Sequence, residues 1–354
     1  MSKQWVVCID GTSNRPGQTT DAPGSEKLVK RPTNVANIWT YVTNQFLEDD
    51  AYGVVANSTN NTDVEAVYLR GVGSGKLSLE NIYDDPLGVV FGYGTSERIR
   101  DAYRYLARRW MPDDSIYLFG FSRGAFAVRS LAGFIDAVGL PVNNKILPEE
   151  LINELYETYR AKKKQILPGF KKAEVTFVGI WDTVAAIPCG ETINSFHSTS
   201  PENVKYVAHA LAIDEERTPY NCVTWDFINS NSKGKEVWFK GAHCNVGGSY
   251  IDENLSNITL FWMLREAETC GLSFHETDDY MDRFGNESQY RPVIDSSKAM
   301  FGPVLSEFRE LVGRRTTIDY QLVHQTVIDA INKKYDPAIP VKELMLRKIE
   351  PWVW

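Results

Sequence analysis

Ser115-Ile116-Tyr117-Leu118-Phe119-Gly120-Phe121-Ser122-Arg123-Gly124-Ala125-Phe126-Ala127-Val128 is the stretch on which the fold turns. It opens as an apolar run of strand length and closes as an apolar, Ala-rich run that continues with helical character to Val138. Between the two sits Gly120-Phe121-Ser122-Arg123-Gly124. A GxSxG pentapeptide says little alone, but between a strand and a helix it has a mechanical meaning. The chain must reverse sharply, which strains the serine backbone and leaves room only for glycine at the crowded flanking positions. Such a turn exposes the Ser122 hydroxyl at the end of the strands, with the helix N-terminus behind it offering N–H groups to developing negative charge.

Working outward, further strand-like runs are Trp5–Ile9, Val64–Leu69, Glu174–Trp181 and Glu236–Lys240. Most are near-continuous apolar or β-branched runs, the pattern of strands covered on both faces. Helical spacing fits Asn34–Phe46, Thr95–Trp110 with Thr95 as N-cap, Val204–Ile213 and Asn257–Glu268. This alternation predicts an α/β fold, a mostly parallel central sheet flanked by helices. The long loops Arg15–Arg31 and Ile187–Ser200 read as binding loops or lids. Leu272–Trp354, with helices at Pro303–Val312 and Tyr320–Lys333, reads as a helical C-terminal cap appended to one domain spanning 1–354.

Composition narrows the function. Of 354 residues 43% are hydrophobic, enough for a large core, and the net charge of −8 repels phosphate backbones, so no nucleic acid is expected as partner. The basic cluster Arg160, Lys162, Lys163, Lys164, Lys171 and Lys172 reads as a solvated helix end. Five cysteines at wide spacing, without CxxC, read as reduced thiols, and Cys244 as packing. No apolar run reaches membrane-spanning length, so no transmembrane segment is expected and any membrane contact would be peripheral. Met1-Ser2-Lys3-Gln4 leads straight into Trp5–Ile9, too short for a signal core, which points to the cytoplasm and leaves open delivery by a secretion machine that reads no N-terminal signal. The sequence does not set the oligomeric state.

A nucleophilic serine needs a base and an orienting acid. Five histidines, His197, His209, His243, His275 and His324, all follow Ser122. His243 has the best setting, just after the strand Glu236–Lys240 and before Val246-Gly247-Gly248. His209 and His324 fall inside helix patterns, and His197 and His275 in loops. Asp182 ends another strand and can accept the second imidazole N–H; the rival, Asp214, reads as a partner of Arg217. Asp10-Gly11-Thr12 ends a third strand. The N–H groups of Gly11 and Thr12, with that of Arg123, can form an oxyanion hole, while Asp10 holds the turn through side-chain-to-backbone bonds. Gly71-Val72-Gly73-Ser74-Gly75-Lys76 fails as a phosphate loop, because Arg70 and Leu77 replace the required glycine and Ser/Thr. Cys8 likewise stands where a phosphotransferase would carry a second aspartate before Asp10-Gly11-Thr12. No metal-ligand spacing appears, and neither metal nor cofactor is expected.

Together these stretches resemble an α/β-hydrolase domain family that includes the catalytic domain of type VI secretion phospholipase effectors. The matching segments are Ile9–Asn14, Thr33-Asn34-Val35, Gly71-Val72-Gly73, Leu118–Ala125, Gly179–Val184, His209–Arg217, Val237–Tyr250 and His324–Val327, in family order. The resemblance implies that Ser122, Asp182 and His243 form the triad of an α/β-hydrolase-like serine hydrolase that cleaves carboxylic esters through an acyl-enzyme. Lipid, and phospholipid in particular, is the implied substrate. Where the family usually carries Asp, two residues beyond the histidine, this chain has Asn245. A non-catalytic binding or effector module that keeps the fold is the alternative.

Overall fold

The computed structural model describes residues 2–12, 14–16, 19–21, 28–30, 32–49, 51–59, 61–72, 94–142, 146–185, 200–215, 222–250, 252–274, 322–323 and 327. In chain order the strands are β1 Gln4–Ile9, β2 Thr19–Asp21, β3 Leu28–Lys30, β4 Val54–Asn57, β5 Val64–Leu69, β6 Ser115–Phe121, β7 Leu140–Pro141, β8 Phe170–Lys171, β9 Val175–Trp181, β10 Val204–Ala212, β11 Lys233–Phe239 and β12 Leu322–Val323. The helices are α1 Asn34–Thr43, α2 Thr95–Ala107, α3 Arg123–Val138, α4 Glu149–Arg160, α5 His243–Gly247 and α6 Asn254–Thr269.

One eight-stranded sheet runs in the order β12-β11-β10-β9-β6-β1-β5-β4. All neighbours pair in parallel except β4, which closes the edge antiparallel to β5. The α/β class and the mostly parallel sheet therefore stand as expected. The central strands are apolar on both faces because both are covered. On one side, Val7, Ile9, Leu118 and Val178 pack with α2, α3 and α4. On the other, Val6, Cys8, Phe119 and Phe177 pack with α1 and α6. The segment after β1 thus leads to one layer and α3, after β6, to the other, although the two strands are neighbours. Such a divergence opens a crevice beyond the strand ends, where ligands bind in open α/β sheets.

Local chemistry sets the helix ends. Thr33 caps α1, its hydroxyl accepting from Ala36 N–H at 3.3 Å, and Asn44 ends that helix in the left-handed region at φ 56. Thr95 is the first helical residue of α2 rather than its cap, which is Gly94 at φ 97. Glu149 and Glu150 occupy the first turn of α4 and Arg160 the last, matching the helix dipole. Lys164, in the basic cluster just beyond, pairs with Asp136 at 2.8 Å.

Two further sequence readings are corrected. Val204–Ile213, read as a helix, holds the interior strand β10, Val204–Ala212. Its second half is buried on both faces, which erases the period-two alternation that marks a half-exposed strand. Leu322–Val323, inside an expected helix, is strand β12 paired in parallel with Val237 and Trp238 of β11. The loop Arg15–Arg31 contains the antiparallel pair β2–β3. Most of Ile187–Ser200, and the stretch 275–354 apart from residues 322, 323 and 327, lie outside the described residues.

Candidate active site

The parallel register aligns the carboxyl ends of the central strands, Ile9 opposite Gly120 and Phe121 opposite Trp181. Backbone bonding then continues one step beyond the strands. Asp10 N–H donates to Leu69 O at 2.9 Å, Ser122 N–H to Trp181 O at 3.0 Å, and Asp182 N–H to Ala210 O at 2.7 Å. Val184 N–H returns to Ser122 O at 3.3 Å. Ser122, the residue after β6, is therefore fixed through the backbone to both sides of Asp182, at Trp181 and Val184.

Ser122 has φ 57 and ψ −124, a conformation that non-glycine residues rarely adopt. Its flanking glycines are obligatory by contact. A Cβ on Gly120 would stand 2.6 Å from Gly124 O, and one on Gly124 would stand 2.2 Å from Ile9 O and 2.5 Å from Asp10 O. The close approach of α3 to β1 that Gly124 permits is what seats the helix N-terminus behind the serine. The strained strand-to-helix turn read from the sequence is thus present.

His243 opens α5, immediately after β11 and Lys240-Gly241-Ala242. Its Nδ1 lies 2.7 Å from Asp182 Oδ2, and both residues are buried. Facing a carboxylate, Nδ1 carries the proton and donates, which leaves Nε2 as the basic nitrogen. The second Asp182 oxygen, Oδ1, accepts Ala212 N–H at 3.1 Å. The imidazole packs on Phe121, the residue before the serine, with ring centroids 4.5 Å apart. The same ring explains Gly247, where a Cβ would sit 2.0 Å from a Phe121 ring carbon. The structure brings Ser122, Asp182 and His243 to one end of the sheet.

The Asp10 turn lies against the same serine. A Cβ on Gly11 would meet the Ser122 Cβ at 3.3 Å. Asp10 Oδ1 accepts Gly11 N–H at 2.7 Å, while Oδ2 accepts the hydroxyls of Tyr68 at 2.6 Å and Thr33 at 2.9 Å. Burial raises the Asp10 carboxyl to about 6, against the opposing pull of the Tyr68, Gly11 and Thr33 bonds. Because the Gly11 N–H is taken up by Asp10, the expected oxyanion role of that donor meets a competing bond. Thr12 follows in the turn, and Arg123 begins α3 directly after the serine.

Several contacts that build the site escaped the sequence reading. Glu215, fully buried, accepts the backbone N–H of His243 at 3.2 Å. Asp214 accepts Gly241 N–H at 2.6 Å and so fixes the approach to His243; Arg217, its expected partner, lies outside the described residues. Asn245 Oδ1 accepts Ala242 N–H at 3.1 Å, a role an amide oxygen fills as well as a carboxylate would. Asn34, buried on α1, donates to Val246 O and Ser256 O, both at 3.0 Å, and so ties three helices together behind the histidine. His209 is in the sheet, bonded to Glu236 and Thr183. Glu215, Asp214, Asn245, Asn34 and His209 all fall within the family-matching segments, but those segments do not report which partners meet in space. Cys244 is buried; His197, His275, His324 and Cys189 lie outside the described residues. Among the described residues no three His, Cys, Asp or Glu side chains cluster as a metal ion would need, and no helix is long and apolar enough to cross a membrane.

A mostly parallel α/β sheet thus carries, at the carboxyl ends of its strands, a strained serine and a buried histidine–carboxylate pair. The chain belongs to the family described as type VI secretion system phospholipase effector, Tle1-like, catalytic domain, whose model matches residues 3–266. It is 29% identical over 165 residues to an uncharacterized protein of Saccharomyces cerevisiae, covering 39% of this chain and 22% of that protein. It is similar to an uncharacterized protein from Pseudomonas aeruginosa of known crystal structure, at 15% identity and a TM-score of 0.45 over 81% of this chain and 49% of that one. It is also similar to the Tle1 effector in its structure bound to the VgrG spike of the type 6 secretion system, at 19% identity and a TM-score of 0.39 over 70% of this chain and 51% of that one. The chain thus spans about half the length of these solved relatives, and 22% of the yeast protein.

Proposed function

We propose that the protein is a serine hydrolase that cleaves carboxylic esters through an acyl-enzyme, with an α/β-hydrolase-like arrangement of its site. The observation that carries this reading is the buried 2.7 Å contact from His243 Nδ1 to Asp182 Oδ2, at the strand ends that also hold the strained Ser122. His243 Nε2 takes the Ser122 Oγ proton as Oγ attacks the acyl carbonyl, and Asp182 stabilises the resulting imidazolium. The N–H groups of Arg123 and Thr12 stabilise the tetrahedral oxyanion. Nε2 then returns the proton to the departing alcohol, and water releases the acyl group by the same relay. Membership of a phospholipase effector family supports phospholipid as substrate, synthesis in the cytoplasm and delivery by a type VI machine.

The test is hydrolysis of phospholipid vesicles and a panel of soluble carboxylic esters by the wild type and by Ser122→Ala, His243→Ala and Asp182→Asn. Each variant should lower kcat by about 10³-fold or more with a smaller change in KM. Ser122→Ala retaining wild-type turnover would exclude the mechanism. A folded wild type inert on the whole panel would favour a binding module that has kept the fold.

A further inference from the structure

We infer that His209, backed by Glu236, is a positioning residue for Asp182; the inference rests on the serine-hydrolase reading above. His209 lies on β10, fully buried, one strand from Asp182. Its Nε2 stands 3.2 Å from the backbone N–H of Thr183 and 3.1 Å from the Thr183 hydroxyl. A peptide N–H can only donate, so Nε2 is the acceptor and the ring proton is on Nδ1. Nδ1 accordingly donates to Glu236 Oε1 at 2.7 Å on the neighbouring strand. Glu236 Oε1 is itself held by Trp225 N–H at 2.7 Å. The imidazole is thus neutral, with its tautomer set from behind.

This arrangement bears on Asp182 because that residue is strained. Its φ of 38 is left-handed, which a non-glycine residue keeps only where its surroundings over-determine it. Asp182 N–H is bound to Ala210 O at 2.7 Å, Thr183 O accepts Val223 N–H at 3.0 Å, and Thr183 N–H goes to His209. The last bond fixes the peptide plane that follows Asp182 and so the direction in which its carboxylate meets His243. Protonating Nε2 would set two donors against each other at Thr183. The charged groups around the ring are Glu236 on β11, Arg129 on α3 and Asp182 just beyond β9, with the Cys222 thiol 3.8 Å from Nε2. Burial, the largest influence, keeps the ring in its neutral form against the attraction of Glu236.

A double-mutant cycle between His209→Leu and Asp182→Ala tests this, read as kcat and KM on an ester substrate, with thermal unfolding as the check on folding. His209→Leu should lower kcat about 10–100-fold with KM within about two-fold, and should have almost no further effect once Asp182 is Ala. His209→Gln, which keeps an acceptor for Thr183, should recover most of the loss. If His209→Leu does not fold, Glu236→Gln runs the same cycle with a drop of about three-fold, because the oxygen stays and the charge goes. Equal losses in both Asp182 backgrounds would overturn the inference while leaving the triad standing. Full activity of Ser122→Ala would remove the triad and, with it, the positioning role.

Discussion

The backbone of Ser122, at φ 57 and ψ −124, is costly to maintain. Conformations of this kind cost about 1–3 kcal/mol in a non-glycine residue. Ser122→Gly should therefore raise the unfolding free energy by about 1 kcal/mol while abolishing turnover, measured by urea denaturation. An unchanged or lower stability would show that the turn stores no strain. Asp10 makes a second residue-scale prediction. Burial raises its carboxyl from the ordinary aspartate range to about 6 in the fold, so the folded protein holds this proton more tightly than the unfolded chain. The stability this contributes is complete below about pH 4 and is lost as pH rises through 6, about 3 kcal/mol in all. Asp10→Asn should remove that slope; parallel wild-type and variant stability curves between pH 4 and 7 would contradict it.

At the scale of elements, the seating of α3 on β1 decides the site. A methyl on Gly124 would meet the backbone oxygens of Ile9 and Asp10, which cannot move aside without shifting the Asp10 turn. Gly124→Ala should cost about 2–4 kcal/mol and reduce activity together with stability, checked by calorimetry and an ester assay. Strands β1, β5, β6, β9 and β11 were legible as apolar runs, and the catalytic candidates were legible because each follows such a run. β10 was not, since an Ala-Leu run buried on both faces carries no alternation. With β10 read as a helix, His209 could not be placed beside Thr183 nor Glu236 behind it. The contact of Glu215 with the His243 backbone was equally hidden, because sequence separation does not report which strand ends are neighbours. The need for glycine at 247, set by the ring of Phe121, is visible only in three dimensions.

For the whole molecule, the net charge of −8 makes the encounter with a lipid surface depend on that surface's own charge. Hydrolysis of zwitterionic vesicles should exceed that of anionic vesicles at low ionic strength, and the gap should narrow as salt shortens the screening length. A preference for anionic vesicles would point to a local basic surface that outweighs the overall charge. The family match over residues 3–266 takes in every strand of the sheet except β12, and all three residues of the proposed triad. The most direct measurement is mass spectrometry of the protein after treatment with a fluorophosphonate probe. The predicted result is one adduct per chain, mapped to the peptide that contains Ser122 and abolished in Ser122→Ala. An adduct on another residue, or none on a folded protein that hydrolyses esters, would contradict the account.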